Sequence, residues 1–143
     1  ESKNYSGWIF GRETQKNWCQ TLPKGRDGCH KEYFYNPIMQ NRLHIKHLKA
    51  FLGEQILMRS IIVFSDRCTL KNIQLNSNDI SVINRYRVAS VVSDIYNEIQ
   101  NDLLTEKDIE EIYCKLYPYT QVDEITKIKH IESIHNYKLK LKY

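Results

Sequence analysis

The sequence predicts an α/β fold in which a mixed central sheet is flanked by helices and followed by a helical C-terminal segment. Three observations lead to this prediction. Aromatic, alternating segments in residues 1–35 are typical of strands. The run Ile61–Phe64 is apolar on both faces, which indicates a strand covered from both sides. After residue 88 the apolar residues recur with a helical period.

The first 35 residues predict an antiparallel meander. Strand-like segments contain Ile9-Phe10, Trp18–Leu22 and Tyr33–Tyr35, and the loop Pro23–Gly28 separates the last two. Because aromatic side chains tend to be buried, we expect those of this region in the core and in cross-strand pairs. Their use as base-stacking platforms is the alternative. The residues concerned are Trp8, Trp18, Tyr33, Phe34 and Tyr35.

The next segment predicts a helix from Pro37 to Leu52. Asn36 is a favoured N-cap residue, and proline is favoured at the first helical position. Gly53 is a typical stop. Strands are then expected over Leu57–Ser65, Thr69–Leu75 and Ile80–Ile83.

The rest of the chain predicts helices. An amphipathic stripe runs from Val88 to Leu103. Thr105 and Asp108 resemble a capping box that opens a short helix, which Pro118 is expected to break. A last helix is expected from about Val122 to Tyr137, where isoleucines recur every third residue and the apolar stripe drifts by about 60° per step.

Composition and charge narrow the function classes. The 143 residues are 41% hydrophobic and 27% charged, which is typical of a soluble globular protein and argues against a disordered tail. No apolar run approaches the roughly 20 residues of a membrane helix. Residues 1–53 carry 9 Lys or Arg against 4 Asp or Glu. This basic excess suits a phosphate backbone, and a solvated surface is the alternative.

The cysteines show no paired spacing. We expect Cys19, Cys29, Cys68 and Cys114 to be reduced, mostly buried thiols of a cytosolic protein. The alternative is a zinc site formed by Cys29 and His30 with His44 and His47 of the predicted helix. It is less favoured because structural zinc sites normally use short paired ligand spacings.

Glu1 and Lys3 are the residues whose chemistry says most about a possible functional site. On a strand, residues i and i+2 point to one face, so a carboxylate and an ammonium group lie side by side. The carboxylate suits a hard cation, and the ammonium group suits an attacking water or a phosphate. A Glu-x-Lys pair is common and is usually a surface pair, so the surrounding sequence decides whether the pair indicates a functional site.

The context is a series of motifs in a fixed order. It comprises Glu1-x-Lys3-Asn4-Tyr5-x-Gly7, Trp18, Asn36-Pro37-x-x-Gln40-x-x-x-His44-Ile45-x-x-Leu48 and Ile62-Val63-Phe64-Ser65. This succession resembles the nuclease-related domain (NERD) family of the PD-(D/E)xK endonuclease-like superfamily, over roughly residues 1–117. The resemblance implies a restriction-endonuclease-like α/β fold, with residues 118–143 as a helical extension.

The resemblance also implies an activity, which is hydrolysis of DNA phosphodiester bonds with Mg²⁺ or Mn²⁺, in DNA processing or defence. Glu1 corresponds to the metal-binding carboxylate, Lys3 to the catalytic lysine, and Gln40 to a polar residue packed against the active site. We expect a cytoplasmic protein with DNA as its partner and no membrane association; a homo-oligomer is possible but nothing in the sequence indicates one. The expected DNA contacts are Lys3, Arg12, Lys16, Arg42, His44 and Lys46.

One feature of the family is not matched. The family places a helix and a strand carrying an Asp, in a Gln-x-Asp-His-like motif, before the Glu-x-Lys. Because this sequence begins at the Glu, we expect a fragment that does not cut DNA by itself. The competing hypothesis is a non-catalytic module of the same fold that binds nucleic acid or a protein. A purely structural accessory domain is the third.

Overall fold

The computed structural model describes residues 1–25, 28–99 and 104–140, with side chains described up to residue 136. The chain divides into two units, Glu1–Asn101 and Asp102–Tyr143. The described elements of the first unit are β1 (Ser2–Lys3), β2 (Gly7–Arg12), β3 (Asn17–Lys24), β4 (Gly28–Tyr35), α1 (Pro37–Leu52), β5 (Ser60–Phe64), β6 (Cys68–Gln74), β7 (Ile80–Asn84), a 3₁₀ turn (Arg85–Arg87) and α2 (Val88–Glu98).

A three-stranded parallel sheet has β5 at its centre, with β1 on one side and β7 on the other. Ile62 and Phe64 are buried on one face of β5, and Ile61 and Val63 are half-buried on the other. The prediction of a central strand is confirmed, because a strand between two neighbours presents apolar side chains to both faces of its sheet.

The other four strands form a mixed sheet in the order β4-β3-β2-β6. β2, β3 and β4 are antiparallel, which confirms the predicted meander. β6 pairs in parallel with β2, and a bulge between Leu70 and Asn72 leaves Lys71 as the extra residue. The predicted α/β class is confirmed, with the strands divided between two hydrogen-bonded sheets.

The core joins the two sheets through Trp18. Its indole ring is fully buried and stacks on Phe64, with 6.1 Å between ring centroids, while Phe34 approaches it edge-on at 6.4 Å. A Cβ atom on Gly11 would lie 2.2 Å from the indole ring. The ring therefore fits because position 11 is glycine. Ile9 and Ile62 belong to the same buried cluster.

The expected burial of the aromatic residues holds for Trp18 and Phe34 and is wrong for the other three. Trp8, Tyr33 and Tyr35 are exposed, because successive side chains of a strand point to opposite faces and these three point away from the core. The alternating sequence pattern of the meander does not show which of its two faces packs against the core.

Helix α1 begins and ends where the sequence predicts. Asn36 caps it, since its side-chain oxygen accepts a hydrogen bond from the N–H of Ile38 at 2.9 Å. Gly53 follows the last residue with φ 137°, a backbone conformation that favours glycine.

The second unit contains α3 (Glu106–Thr120) and α4 (Glu124–Lys140). The capping box of Thr105 and Asp108 is confirmed. Pro118 does not break α3, because it lies in the last turn, where its missing N–H removes a single intrahelical bond and the helix ends two residues later. The isoleucines of α4 are exposed: Ile125, Ile128, Ile131 and Ile134.

Some expectations concern residues outside the described ranges or need correction. Arg26 and Asp27 of the predicted loop, and Leu103 of the predicted stripe, lie outside the described residues. All four cysteines are free thiols, but Cys29 and Cys114 are exposed because they lie on solvent-facing sides of β4 and α3. Among the described helices, none has the length and hydropathy of a membrane span.

A buried carboxylate, Glu13, connects three segments of the first unit. Its side chain is 4% exposed, pairs with the guanidinium of Arg42 in α1, and accepts the N–H groups of Asn76 at 2.6 Å and Ser77 at 2.9 Å. The hydroxyl of Ser77, these N–H groups and Arg42 outweigh burial and lower the pKa of Glu13 from 4.5 to about 2.

Glu13→Gln removes this charge and is expected to lower the free energy of unfolding at pH 7 by about 3 kcal/mol. Since the folded-state pKa lies below the ordinary value, the carboxylate stabilises the fold above pH 4.5, and this contribution is lost as the pH falls towards 2. Urea unfolding should therefore show the gap between wild type and variant narrowing over that interval. The control is Glu54→Gln, at an exposed position. A gap that is independent of pH would contradict the assignment.

Candidate functional site

Two residues of a strand and two of a helix meet at the edge of the parallel sheet. Glu1 and Lys3 lie two residues apart on β1 and its approach, and Gln40 and His44 lie four residues apart on α1. Two strand residues span about 6.6 Å and four helical residues about 6 Å, so the two pairs can align side by side.

The four side chains form one polar row, Gln40–Lys3–Glu1–His44. The ammonium group of Lys3 donates to Oε1 of Gln40 at 2.8 Å and pairs with Oε1 of Glu1 at 2.9 Å. The second oxygen of Glu1 lies 3.1 Å from Nδ1 of His44. The order of the contacts shows that α1 runs opposite to β1.

The inner members of this row are well covered. The side chains of Glu1 and Lys3 are 16% and 15% exposed, whereas that of His44 is 54% exposed. Burial alone raises the pKa of the Glu1 carboxyl, but the hydrogen bond and charge of Lys3, with the charge of His44, outweigh it and lower the pKa below its usual value. Glu1 is therefore an ionised carboxylate near neutral pH.

Asn36 positions the helix that carries Gln40 and His44. Its side-chain N–H groups donate to three carbonyls of the turn between β2 and β3, at 2.7 to 3.2 Å. Its backbone carbonyl accepts the N–H of Gln40 at 3.1 Å. The side chain is fully buried, so these bonds have no competition from water. The three acceptors belong to Arg12, Glu13 and Gln15.

Strand β5 binds both elements that carry the polar row, β1 and α1. The N–H groups of Val63 and Ser65 donate to the carbonyls of Glu1 and Lys3 at 2.8 and 2.9 Å. At the other end of the strand, the hydroxyl of Ser60 accepts the side-chain N–H of Asn41 in α1 at 2.8 Å. The short strand β1 and the helix are thus fixed against the same central strand.

The polar row offers part of what a divalent cation requires. Mg²⁺ and Mn²⁺ prefer oxygen ligands, and the ionised carboxylate of Glu1 is suited to be one. No group of three or more His, Cys, Asp or Glu residues in the described ranges could hold a metal ion. The described residues therefore fit one ligand position of a cation site.

The remaining predicted DNA contacts lie at other places. Arg12 and Lys16 lie at the end of β2 and in the turn after it, and both are exposed. Arg42 pairs with Glu13, so its charge has a structural partner. Lys46 is exposed one turn after Arg42 on α1. Within the described part of the chain, no hydrogen bond or ion pair joins these four to the row.

Three polar residues have structural roles that the sequence shows only in part or not at all. The Asn36-Pro37 pair indicates a helix cap but not the three bonds to the preceding turn. Glu13 lies in a polar turn, and two of its partners, Asn76 and Ser77, come from a loop more than 60 residues away. A third, Asn84, donates to the carbonyls of Ser65 and Cys68 and fixes the end of β5.

Comparisons with known proteins agree with the family resemblance that the ordered motifs indicate. A family model described as nuclease-related domain matches residues 1–65, which include all four members of the polar row. An uncharacterized protein of Bacillus anthracis is 29% identical over 136 residues, which are 95% of this chain and 60% of that protein. The chain thus spans about three fifths of that relative. No solved structure matches the chain significantly.

The polar row can be tested by titrating Glu1. Lys3→Met removes the strongest influence that lowers the pKa of Glu1, so the pKa is expected to rise because burial is then opposed by fewer charges. His44→Gln removes a weaker influence and should raise it less. Carboxyl NMR shifts followed against pH measure both variants. Equal effects of the two variants, or no rise with Lys3→Met, would contradict the geometry.

Proposed function

Because residues 1–65 match the nuclease-related domain, a family of the PD-(D/E)xK-like nuclease superfamily, we propose that this protein is a metal-dependent DNA endonuclease. The observation that carries the proposal is the contact between Lys3, Glu1 and Gln40, which places a carboxylate, an ammonium group and an amide in one covered row. In the proposed reaction, water adds to a phosphodiester phosphorus and one P–O ester bond breaks.

Glu1 is proposed to bind the cation, either Mg²⁺ or Mn²⁺. A divalent cation at this carboxylate supplies charge stabilisation and a more acidic bound water. The low pKa of Glu1 supports this role, since a protonated carboxyl would be a poor ligand. His44 contacts the second oxygen of Glu1 and orients the carboxylate.

Lys3 is proposed to stabilise the negative charge that develops on the phosphate. An ammonium group has three donors, and Glu1 and Gln40 engage it at 2.9 and 2.8 Å. The third donor is therefore available to a phosphate oxygen or to the attacking water. Gln40 is a positioning residue, because its carbonyl oxygen fixes the direction of the ammonium group.

DNA is proposed as the substrate. The basic excess of residues 1–53 suits the DNA backbone without reading its sequence, with contacts from Arg12, Lys16, Lys46, His44 and the exposed part of Arg42. A cytoplasmic location, a role in DNA processing or defence, and a nuclease-related domain over residues 1–117 with an extension over 118–143 belong to the same proposal.

A non-catalytic binding module is the second candidate. It is favoured by one observation, which is that Glu1 is the sole carboxylate of the polar row and both of its oxygens already have partners. Such a module would bind nucleic acid with a steep salt dependence and would take up no divalent cation.

The decisive assay is nicking of supercoiled plasmid by the natural gene product that contains these residues, with Mg²⁺ or Mn²⁺. Glu1→Gln and Lys3→Ala are each expected to reduce the nicking rate by about 100-fold or more, since each removes a charge that acts on the transition state. Glu54→Gln, at an exposed position, is the matched control and should retain the wild-type rate.

Nicking that survives both substitutions, or that persists after chelation of divalent cations, would contradict the endonuclease proposal. Salt-dependent DNA binding without nicking and without cation uptake would identify the binding module instead.

A further inference from the structure

The outer face of the mixed sheet carries aromatic rings that the proposed nuclease site does not use. Trp8, Tyr33 and Tyr35 are 50%, 70% and 50% exposed. Cross-strand partners share a face of the sheet. Trp8 pairs with Thr21, which in turn pairs with Lys31, so Trp8 and Lys31 project to the same side.

The same register places Tyr33 on this face. It pairs with Cys19, and Cys19 pairs with Phe10, which lies two residues after Trp8 on β2. The opposite face carries Ile9 and Trp18 and is covered by the core. The exposed rings are therefore separated from the buried ones by the thickness of the sheet.

The charges on the outer face have one sign. Its charged side chains in the described ranges are Arg12, Lys31 and Lys71, all exposed. The nearest acidic strand residue, Glu32, pairs in register with the buried Gln20 and so belongs to the core-facing side, where it contacts His30. Rings and cations without carboxylates complement a polyanion that carries flat, apolar groups.

The bulge in β6 places a cation directly beside a ring. Lys71 is the extra residue of the bulge, and its ammonium group lies 5.2 Å from the centre of the Trp8 ring. This is within the range of a cation–π contact, so the lysine is held next to an exposed aromatic surface. A nucleotide presents the matching pair, a base for the ring and a phosphate for the ammonium group.

We propose that this face binds single-stranded nucleic acid by stacking bases on Trp8 and Tyr33. The two strands that carry the rings are separated by β3, and Tyr33 lies level with Phe10, two residues along from Trp8, so the two backbone positions are about 12 Å apart and each ring contacts a different base. A single strand is required because the bases of a duplex are already stacked on one another. The proposal does not rest on hydrolysis at the Glu1–Lys3 pair, since it uses the outer face of the mixed sheet and β1, which carries the pair, belongs to the parallel sheet.

The test is fluorescence titration with a thymidine oligomer of about 16 nucleotides, in EDTA and at low salt. Trp18 is fully buried, so quenching by the oligomer reports on Trp8. We expect saturable quenching whose apparent affinity falls steeply with added salt. A uridine oligomer in parallel shows which sugar is preferred, and binding of either on this face supports the proposal.

Variants separate stacking from simple charge attraction. Tyr33→Ala and Trp8→Ala are each expected to weaken binding about 5- to 150-fold, measured for both by anisotropy of a labelled oligomer. Tyr33→Phe keeps the ring and should retain affinity. Tyr96→Ala is the matched control, because Tyr96 is 73% exposed on α2 and lies outside this face. The fluorescence of Trp18 verifies that each variant is folded.

Equal affinity of Tyr33→Ala and Tyr96→Ala, or equal competition by a duplex of the same length, would overturn the proposal. Absence of binding at low salt would also overturn it. The result is independent of the endonuclease assignment, because EDTA removes the divalent cations that the proposed hydrolysis requires, while the titration still reports binding on the outer face.

Discussion

The side-chain amide of Asn36 fixes where helix α1 starts relative to the turn between β2 and β3, and the alignment of the polar row depends on that start. Its N–H groups bind three turn carbonyls, and its oxygen caps the helix. A helix rises by 1.5 Å per residue, so the start determines the positions of Gln40 and His44. Because two strand residues span nearly the same length as four helical residues, these side chains align with Lys3 and Glu1.

The two faces of the mixed sheet have different surroundings, since one packs in the core and the other is exposed. One face supplies Ile9 and Trp18 to the core, and through it the sheet supports β5, to which β1 and α1 are attached. The other face holds exposed rings and cations. Under the two proposals, a strand is retained on this surface while the polar row acts on the phosphodiester.

Local signals made part of this structure predictable. The cap residues of α1, the apolar run of β5 and the alternation of Glu1 with Lys3 are properties of neighbouring residues, and their consequences could be read from the sequence. The covered face of the meander could not be, because Trp8 and Trp18 are both aromatic and only the tertiary packing distinguishes them. The burial of Glu13 likewise depends on Ser77, a partner distant in sequence.

The central claim is that Glu1 binds a divalent cation within the polar row. It is tested most directly by titrating Mn²⁺ into nitrogen-labelled protein and following the NMR signals. Because Mn²⁺ broadens the signals of nearby nuclei, the account predicts selective broadening at Lys3, Gln40 and His44 that disappears in Glu1→Gln. Broadening that persists in Glu1→Gln, or that centres on another part of the chain, would contradict it.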